Sequence, residues 1–375
     1  LDYGILHFLV AMHFVFVSYN YTPGINSPGE WINRIKFYIR PLELVAENHV
    51  VTRIEQIDYE GYCLHNNIQY YFRKLKTPRT YFPRRLNQFV KHLNPDIVFV
   101  HGTHYPLQIL QLRLLLPKSV KIIVQHHAEQ PFNGFKKYIQ RFASYYIDAY
   151  LFAARDLGLF WVKQGNIHSA EKIKEVMEVS SPFYPFKKVI ALEKTNATGS
   201  PIFLWVGRLN ANKDPLLVIK TFLQFVKLKP SARLYMFYHT SELLKEIHAL
   251  LNNEPDGKAI TMMGAIANEA LLYWYNSADY FILGSHYEGS GTAVCEAMSC
   301  GCIPVITDIL SFRALTDNGK CGLLYEPGNN RALLSALQQT DKINVEEKRQ
   351  ACIDYYHSEL SSEAIAQKIK HIATE

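Results

Sequence analysis

Short apolar runs recur along this chain, each followed by a longer stretch of mixed polarity, and that alternation constrains the fold more than any other feature. Strands are expected at 12–19, 48–53, 97–101, 121–126 and 149–153, with amphipathic stretches near 30–45, 81–92, 104–115 and 131–146 between them. Strands that alternate with helices pair in parallel, because a helix is the usual crossover between parallel neighbours. At 180–201 the alternation lapses. Ser180, Ser181, Pro182 and Pro185 lead into Thr195-Asn196-Ala197-Thr198-Gly199-Ser200-Pro201, the composition of a linker. It restarts at Ile202-Phe203-Leu204-Trp205-Val206, with strands near 202–206, 232–238, 259–263, 279–283 and 303–306. Helices are expected near 214–228, 241–252, 267–276, 292–300 and 330–339, and a last helical stretch covers 344–374. A chain of 375 residues exceeds one ordinary core. The expected fold class is therefore α/β, with two Rossmann-like domains facing each other across a deep cleft, where the carboxyl ends of the strands gather ligands. Residues 1–11 read as an upstream extension, 12–190 and 200–343 as the two domains, and 344–375 as a C-terminal helix packing back towards the first.

Composition narrows the function classes. A 48% hydrophobic and 20% charged chain is globular rather than disordered. Six cysteines include one close pair, Cys300-Gly301-Cys302, with no second pair or nearby histidine to complete a zinc site. Reduced, buried thiols and a cytoplasmic location fit best. The first 19 residues contain Asp2, His7 and His13, and lack both a clean membrane span and a signal-peptide cleavage pattern. Residues 1–195 carry 24 Lys/Arg against 15 acids, whereas 196–375 carry 16 against 19. The run Gly61–Pro95 holds Arg73, Lys74, Lys76, Arg79, Arg84, Arg85 and Lys91 without an acid, interleaved with aromatic residues. A solvated basic face is the simpler reading, and a peripheral contact with an anionic membrane or an acidic acceptor is the alternative. No nucleic-acid module accompanies it, so no nucleic-acid partner is expected.

The chemistry concentrates in the second half. In SHYEGSGTAVCEAMSCGCIPVITD (285–308), Glu288 and Glu296 bracket a turn of Gly289, Ser290 and Gly291, after a strand and before a helix opening at Thr292. Strand, glycine turn, helix places free N–H groups and a positive dipole end where an anionic or hydroxyl-rich ligand can sit. A carboxylate there accepts two hydrogen bonds from a vicinal diol; the bland alternative is a capped helix with two surface acids. Arg208 and Lys213 fall on another strand-to-helix loop, with Pro215 suited to a first helical turn. Two cations there suit a diphosphate and stabilise negative charge developing on it, although ordinary loop charges would look the same. A third loop carries Gly264 and Ile266, where backbone can approach closely and a flat base can rest on the side chain.

Together, WVGRLNANKDP and MMGAIANEALLYWYNSADYFILGSHYEGSGTAVCEAMSCGCIPVITD resemble the group 1, family 4 glycosyltransferases, retaining enzymes of the GT-B fold. The resemblance is strong over about 202–340 and loose through 12–180. It implies transfer of a sugar from a nucleotide diphosphate sugar, UDP- or GDP-linked, with retained anomeric configuration and with neither metal nor other cofactor. By position, Arg208 and Lys213 hold the diphosphate, Glu288 meets the donor sugar, and Gly289, Ser290, Gly291 and Thr292 offer backbone donors. Glu296 binds the ribose diol, and the loop at Gly264 and Ile266 meets the base. The family's glycine loop after its first strand corresponds to 21–30, where Gly29 is the choice for a backbone contact to phosphate or acceptor. The family's histidine at the end of a central strand corresponds to His127, preferred over His126 by spacing, while His101 lines the cleft. The acceptor, a saccharide or lipid-linked glycan in polysaccharide or glycolipid synthesis, falls to the first domain. Three departures stand out: Met236–Thr240 in place of a glycine-rich strand end, Met177–Pro182 in place of the usual linker turn, and Arg313 where an acid is common. A non-catalytic nucleotide-sugar-binding scaffold subunit and a sugar-nucleotide epimerase on the same fold are the alternatives.

Overall fold

The apolar run expected at 12–19 is the central strand of the first of two sheets. The computed structural model describes residues 11–36, 38–74 and 81–375. The expected upstream extension lies outside these residues except for Ala11, as do Lys76 and Arg79 of the basic run. The chain divides into two units: one runs to Glu178 and takes in Ile365–Glu375, and the other is Val179–Ala364.

The first unit runs β1 (His13–Thr22), α1 (Pro28–Ile35), α2 (Arg40–Ala46), β2 (Val50–Ile57), β3 (Gly61–His65), β4 (Ile68–Arg73) and α3 (Arg84–His92). It continues with β5 (Ile97–His101), α4 (Pro106–Leu115), β6 (Lys121–Gln125), α5 (Gly134–Ser144), β7 (Ala149–Phe152), α6 (Arg155–Lys163) and β8 (Ile173–Glu175). The sheet order is β3-β4-β2-β1-β5-β6-β7-β8, parallel throughout except for β3–β4. Helices cover both faces of such a sheet, so its strands are apolar on both sides. Val15, Val17, Val98, Val100, Ile122 and Ile123 are accordingly inaccessible to solvent.

Two expectations change here. The amphipathic stretch 30–45 is two helices, because Pro41 belongs in a first turn, where its missing N–H is harmless, and would break a continuous helix. The basic, aromatic run is partly a hairpin: Asn66 and Asn67 take φ of 46° and 62°, the left-handed pair that a tight turn between β3 and β4 needs.

The second unit opens with α7 (Lys188–Thr195), inside the segment expected to be a linker, followed by β9 (Ile202–Val206), α8 (Pro215–Leu228), β10 (Arg233–Phe237) and α9 (Leu244–Asn253). Then come β11 (Ile260–Gly264), α10 (Asn268–Ser277), β12 (Tyr280–Leu283), α11 (Thr292–Ser299), β13 (Ile303–Thr307) and α12 (Leu310–Leu315). β14 (Leu323–Tyr325), α13 (Asn330–Gln339) and α14 (Val345–Tyr355) close the unit, and α15 (Ser362–Thr374) ends the chain. The sheet is all parallel in the order β11-β10-β9-β12-β13-β14. Strand order reverses between β9 and β12. Helices leaving those two strands go to opposite faces, which opens a crevice above their carboxyl ends.

The last stretch is not one helix. A π-helical turn at Tyr356–Leu360 and an extended Ser361 separate α14 from α15. Tyr356 OH donates to Ser181 O at 2.7 Å within the second unit. α15 joins the first: Lys121 Nζ donates to Ala373 O at 2.9 Å and Lys174 pairs with Glu375. Among the described residues no helix is long and apolar enough to cross a membrane.

Candidate active site

The two loops that follow β9 and β12 meet at the point where the strand order reverses. The first starts at Gly207, packed over the ring of Trp205, and its path is set by Leu209, which is fully buried. Leu209 N–H donates to Thr240 Oγ1 at 2.8 Å and Leu209 O accepts from Leu243 N–H at 3.2 Å. The loop after β10 therefore grips both sides of one buried residue. Arg208, next to this anchor, is exposed, and its guanidinium has no partner among the described residues.

The chain then makes a 3-10 turn, Ala211–Lys213, closed by Asn210 Oδ1 accepting from Lys213 N–H at 3.1 Å. Asp214 caps α8 in a left-handed conformation, φ 42°, and its carboxylate accepts from Leu217 N–H. Asn212 reaches across to the second loop. Its Nδ2 donates to Tyr287 O at 2.9 Å, its Oδ1 accepts from Tyr287 N–H at 3.1 Å, and its own carbonyl accepts from His286 N–H at 2.8 Å. These three bonds lock the loops in register, and they bring the Lys213 ammonium onto the Glu288 carboxylate as an ion pair with both side chains 14% exposed.

Beyond Glu288, Gly289 is buried and Gly291 takes φ 63° as the N-cap of α11. A Cβ there would lie 2.7 Å from Leu315 Cδ1 and 2.9 Å from Phe312 Cε1, so space as well as backbone geometry selects glycine. The first intrahelical bond runs from Val294 N–H to Gly291 O at 2.9 Å. The N–H groups of Thr292 and Ala293 precede it, at the positive end of the helix, the arrangement that binds anions.

Glu296 lies one turn into α11, 7% exposed, with Tyr275 OH donating to its Oε2 at 2.9 Å. Burial disfavours its charged form and pushes the carboxyl up to about 7, against the smaller opposing effect of the Tyr275 hydrogen bond. One oxygen is thus held by tyrosine, which orients the other. At the loop after β11, Gly264 has φ 75° with nothing within 4 Å of a Cβ position, and Ile266 is 37% exposed. Tyr238 N–H donates to Gly264 O, so the departure at 236–240 ties this loop to β10 instead of opening it. Arg313, another of the departures, forms a two-pronged ion pair with Asp308.

Two expected site residues belong to the first unit. Gly29 lies within the first turn of α1, not ahead of it as expected, because Ser27 is the N-cap and accepts from Glu30 N–H at 3.2 Å. His127 has both ring nitrogens engaged: Nδ1 with Glu178, and Nε2 with His101 Nδ1 at 3.1 Å. Burial works against a charge on His127, but the Glu178 hydrogen bond and the neighbouring carboxylates prevail and raise its pKa. Burial takes His101 the other way, well below the usual histidine range, assisted by Arg53 and His127. His126 stacks on Phe152 at 4.6 Å and its Nε2 contacts Glu129 O, a packed structural histidine. Cys295, Cys300 and Cys302 are buried free thiols, as small packing residues are.

The family model for glycosyl transferases group 1 matches residues 188–358, which take in both loops, the ion pair and α11. The match spans 171 of the 375 residues. Mannosylfructose-phosphate synthase of Agrobacterium fabrum is 30% identical to the chain over 113 residues, 28% of this chain and 25% of that protein. The Escherichia coli O-antigen chain mannosyltransferase B is 33% identical over 81 residues, 22% of this chain and 21% of that protein. The chain thus aligns with about a quarter of the length of these curated relatives. Solved structures extend the likeness to the whole fold. Sucrose-phosphate synthase from Thermosynechococcus elongatus superposes with a TM-score of 0.70 at 16% identity, covering 97% of this chain and 98% of that one. Anabaena HepE in complex with UDP gives 0.71 at 12% identity, covering 97% and 100%. The architecture is that of the GT-B glycosyltransferases.

Within the second unit the structure brings together Arg208, Lys213, Glu288, Gly289, Ser290, Gly291 and Thr292 on two adjoining loops, with Glu296 one helical turn behind. Sequence reasoning missed the residues that hold them. Asn212 and Tyr275 carried no assignment of their own and Thr240 stood out only as part of a departure; their partners lie 75, 31 and 21 positions away. Glu178, which sets the charge of His127, sat in a segment read only for its departure from the usual linker.

Proposed function

We propose that the chain is a retaining, metal-independent glycosyltransferase that moves a sugar from a nucleotide diphosphate sugar to a glycan or lipid-linked acceptor, in cell-surface polysaccharide or glycolipid synthesis. What carries this reading is the meeting of Lys213 and Glu288, beside the N-terminus of α11 and the exposed Arg208, at the point of strand-order reversal. A cation and a carboxylate so placed serve the two halves of one donor. Lys213 and Arg208 take the diphosphate, with the first-turn N–H groups of α11 supplementing them, and Glu288 takes the sugar hydroxyls. The free oxygen of Glu296 faces the ribose diol, and the base lies at Gly264 and Ile266. In the reaction the anomeric C–O bond breaks with its electron pair going to the terminal phosphate oxygen. The acceptor oxygen bonds to the anomeric carbon from the same face and passes its proton to that phosphate oxygen. The sugar becomes oxocarbenium-like as negative charge grows on the diphosphate, so fixed cations that bind the separated charge best lower the barrier.

HepE binds UDP and UDP-glucose in its solved complexes, and the matched curated relatives are mannosyl enzymes by name, so glucosyl and mannosyl donors lead the candidates. A thermal-shift panel of UDP-, GDP- and ADP-sugars tests the reading. Saturation at about 100 times Kd adds about 2.7 kcal/mol to the state that binds. Such a gain raises the melting midpoint by roughly 5–10 °C for a unit of this size. If no nucleotide sugar moves the midpoint, the reading is wrong.

A further inference from the structure

α5 turns its most apolar side chains outward. Its buried positions are Gln140, Ala143 and Ser144. Phe135 (78% exposed), Tyr138 (66%) and Phe142 (54%) stand in solvent at helical spacing, and Tyr145 and Tyr146 continue the stripe past the helix end. The helix has no freedom to roll these rings inward, because Gln140 fixes its rotation. Its Nε2 donates to Thr103 O at 2.8 Å, and its Oε1 accepts from Asn166 Nδ2 at 2.8 Å and Phe132 N–H at 3.3 Å. Rolling the helix would break all three hydrogen bonds of the buried Gln140 amide. A contiguous apolar stripe held outward in this way marks an interaction surface.

Charge identifies what covers it. From Gln130 to Ile147 there are three cations, Lys136, Lys137 and Arg141, and no acid. α4 packs against both α3 and α5, so the three helices form one layer. Between Tyr81 and Ile147 that layer and its connections carry nine Lys/Arg against two acids, Asp96 and Glu129. Both acids are occupied by backbone: Asp96 accepts from His13 N–H, and Glu129 from Thr103 and His127 N–H. Exposed Tyr81 and Phe82 beside exposed Arg84 and Arg85 repeat the same composition at the start of α3.

We infer that this layer docks the first unit on an anionic lipid bilayer, with α5 lying in the plane of the interface. Its phenylalanine and tyrosine rings sit at the boundary of headgroups and acyl chains, and Lys136, Lys137 and Arg141 lie at the level of the lipid phosphates. A second copy of the chain is the poorer occupant, since apposing two such faces sets cation against cation. The inference does not rest on the donor chemistry of the second unit.

Co-sedimentation of the full chain with vesicles of phosphatidylglycerol and phosphatidylcholine, against phosphatidylcholine alone, tests it. Partition onto the anionic vesicles is expected to be at least tenfold stronger and to fall as salt rises. Phe135→Ser/Tyr138→Ser/Phe142→Ser is expected to weaken it at least tenfold. Lys136→Gln/Lys137→Gln, which leaves the rings in place, is expected to weaken binding to anionic vesicles and flatten its salt dependence. Both variants should keep the wild-type circular dichroism and the wild-type thermal shift with donor. The inference is overturned if wild type stays in the supernatant with anionic vesicles, or if the lysine pair leaves binding unchanged. A dimer in sedimentation velocity that the triple variant dissolves, without vesicle binding by wild type, would overturn it in favour of self-association.

Discussion

Glu288 and Lys213 form an ion pair with little access to solvent, so removing either costs some stability, and the larger effect is expected on chemistry. Lys213→Ala and Glu288→Gln should each lower kcat by about 10²–10³, the usual loss when one preorganised charge is taken from a transition state. Circular dichroism of both should match wild type; near-normal turnover in both would remove these residues from the mechanism. Glu296 makes a different prediction, about pH. Its folded-state pKa of about 7 lies above the unfolded value of 4.5, so the folded second unit holds this proton more tightly than the unfolded chain does. That contribution is fully present below about 4.5 and is lost as pH rises through about 7. A shift of this size corresponds to on the order of 3 kcal/mol. Glu296→Gln imitates the protonated form. Denaturant midpoints of wild type should therefore fall relative to the variant between pH 5 and pH 8, and parallel pH profiles would show that Glu296 is not desolvated in the folded protein.

The loop pair after β9 and β12 is the element that makes a site of these residues, and Asn212 is its fastener. Asn212→Ala removes two side-chain hydrogen bonds to Tyr287. At about 1 kcal/mol each, their loss should destabilise the second unit by roughly 2 kcal/mol. It should also lower kcat/KM tenfold or more, because Lys213 and Glu288 no longer arrive together. Unchanged kinetics in a destabilised variant would reduce Asn212 to a structural role. The strands that carry this element were readable because parallel, doubly covered strands are apolar runs ended by glycine: β9, β12 and the turn at 289–291 all fit that description. The fastener was not readable, since an asparagine in a turn has many ordinary reasons to be there and its partner is supplied by another loop. The β3–β4 hairpin escaped notice because Asn66-Asn67 lacks the glycine that usually signals such a turn, and its basic, aromatic strands read as a surface run. α7 was hidden by the serines, prolines and threonines around it. Gly29 was placed one turn out because Pro28, acceptable as a first helical residue, reads equally well as part of a loop.

For the molecule as a whole, donor binding should be felt unevenly. Hydrogen exchange with a nucleotide sugar present is expected to slow over 207–214 and 284–296 and to leave the β3–β4 hairpin as it was. Protection confined to the first unit would contradict the assignment of the donor to the second. Turnover should be unchanged by EDTA, as a mechanism relying on side-chain cations and a helix terminus requires; loss of activity restored by a divalent ion would refute it. On the proposed function, the pair of Lys213 and Glu288 also bears on which ligands the site admits. A bare nucleotide diphosphate that draws the lysine away abandons a carboxylate already largely removed from water. An intact donor brings hydroxyl groups to that same carboxylate as it takes the lysine. On that reading the pair is expected to open to both halves of the donor at once, and after transfer Glu288 is expected to recapture its lysine as the spent nucleotide leaves.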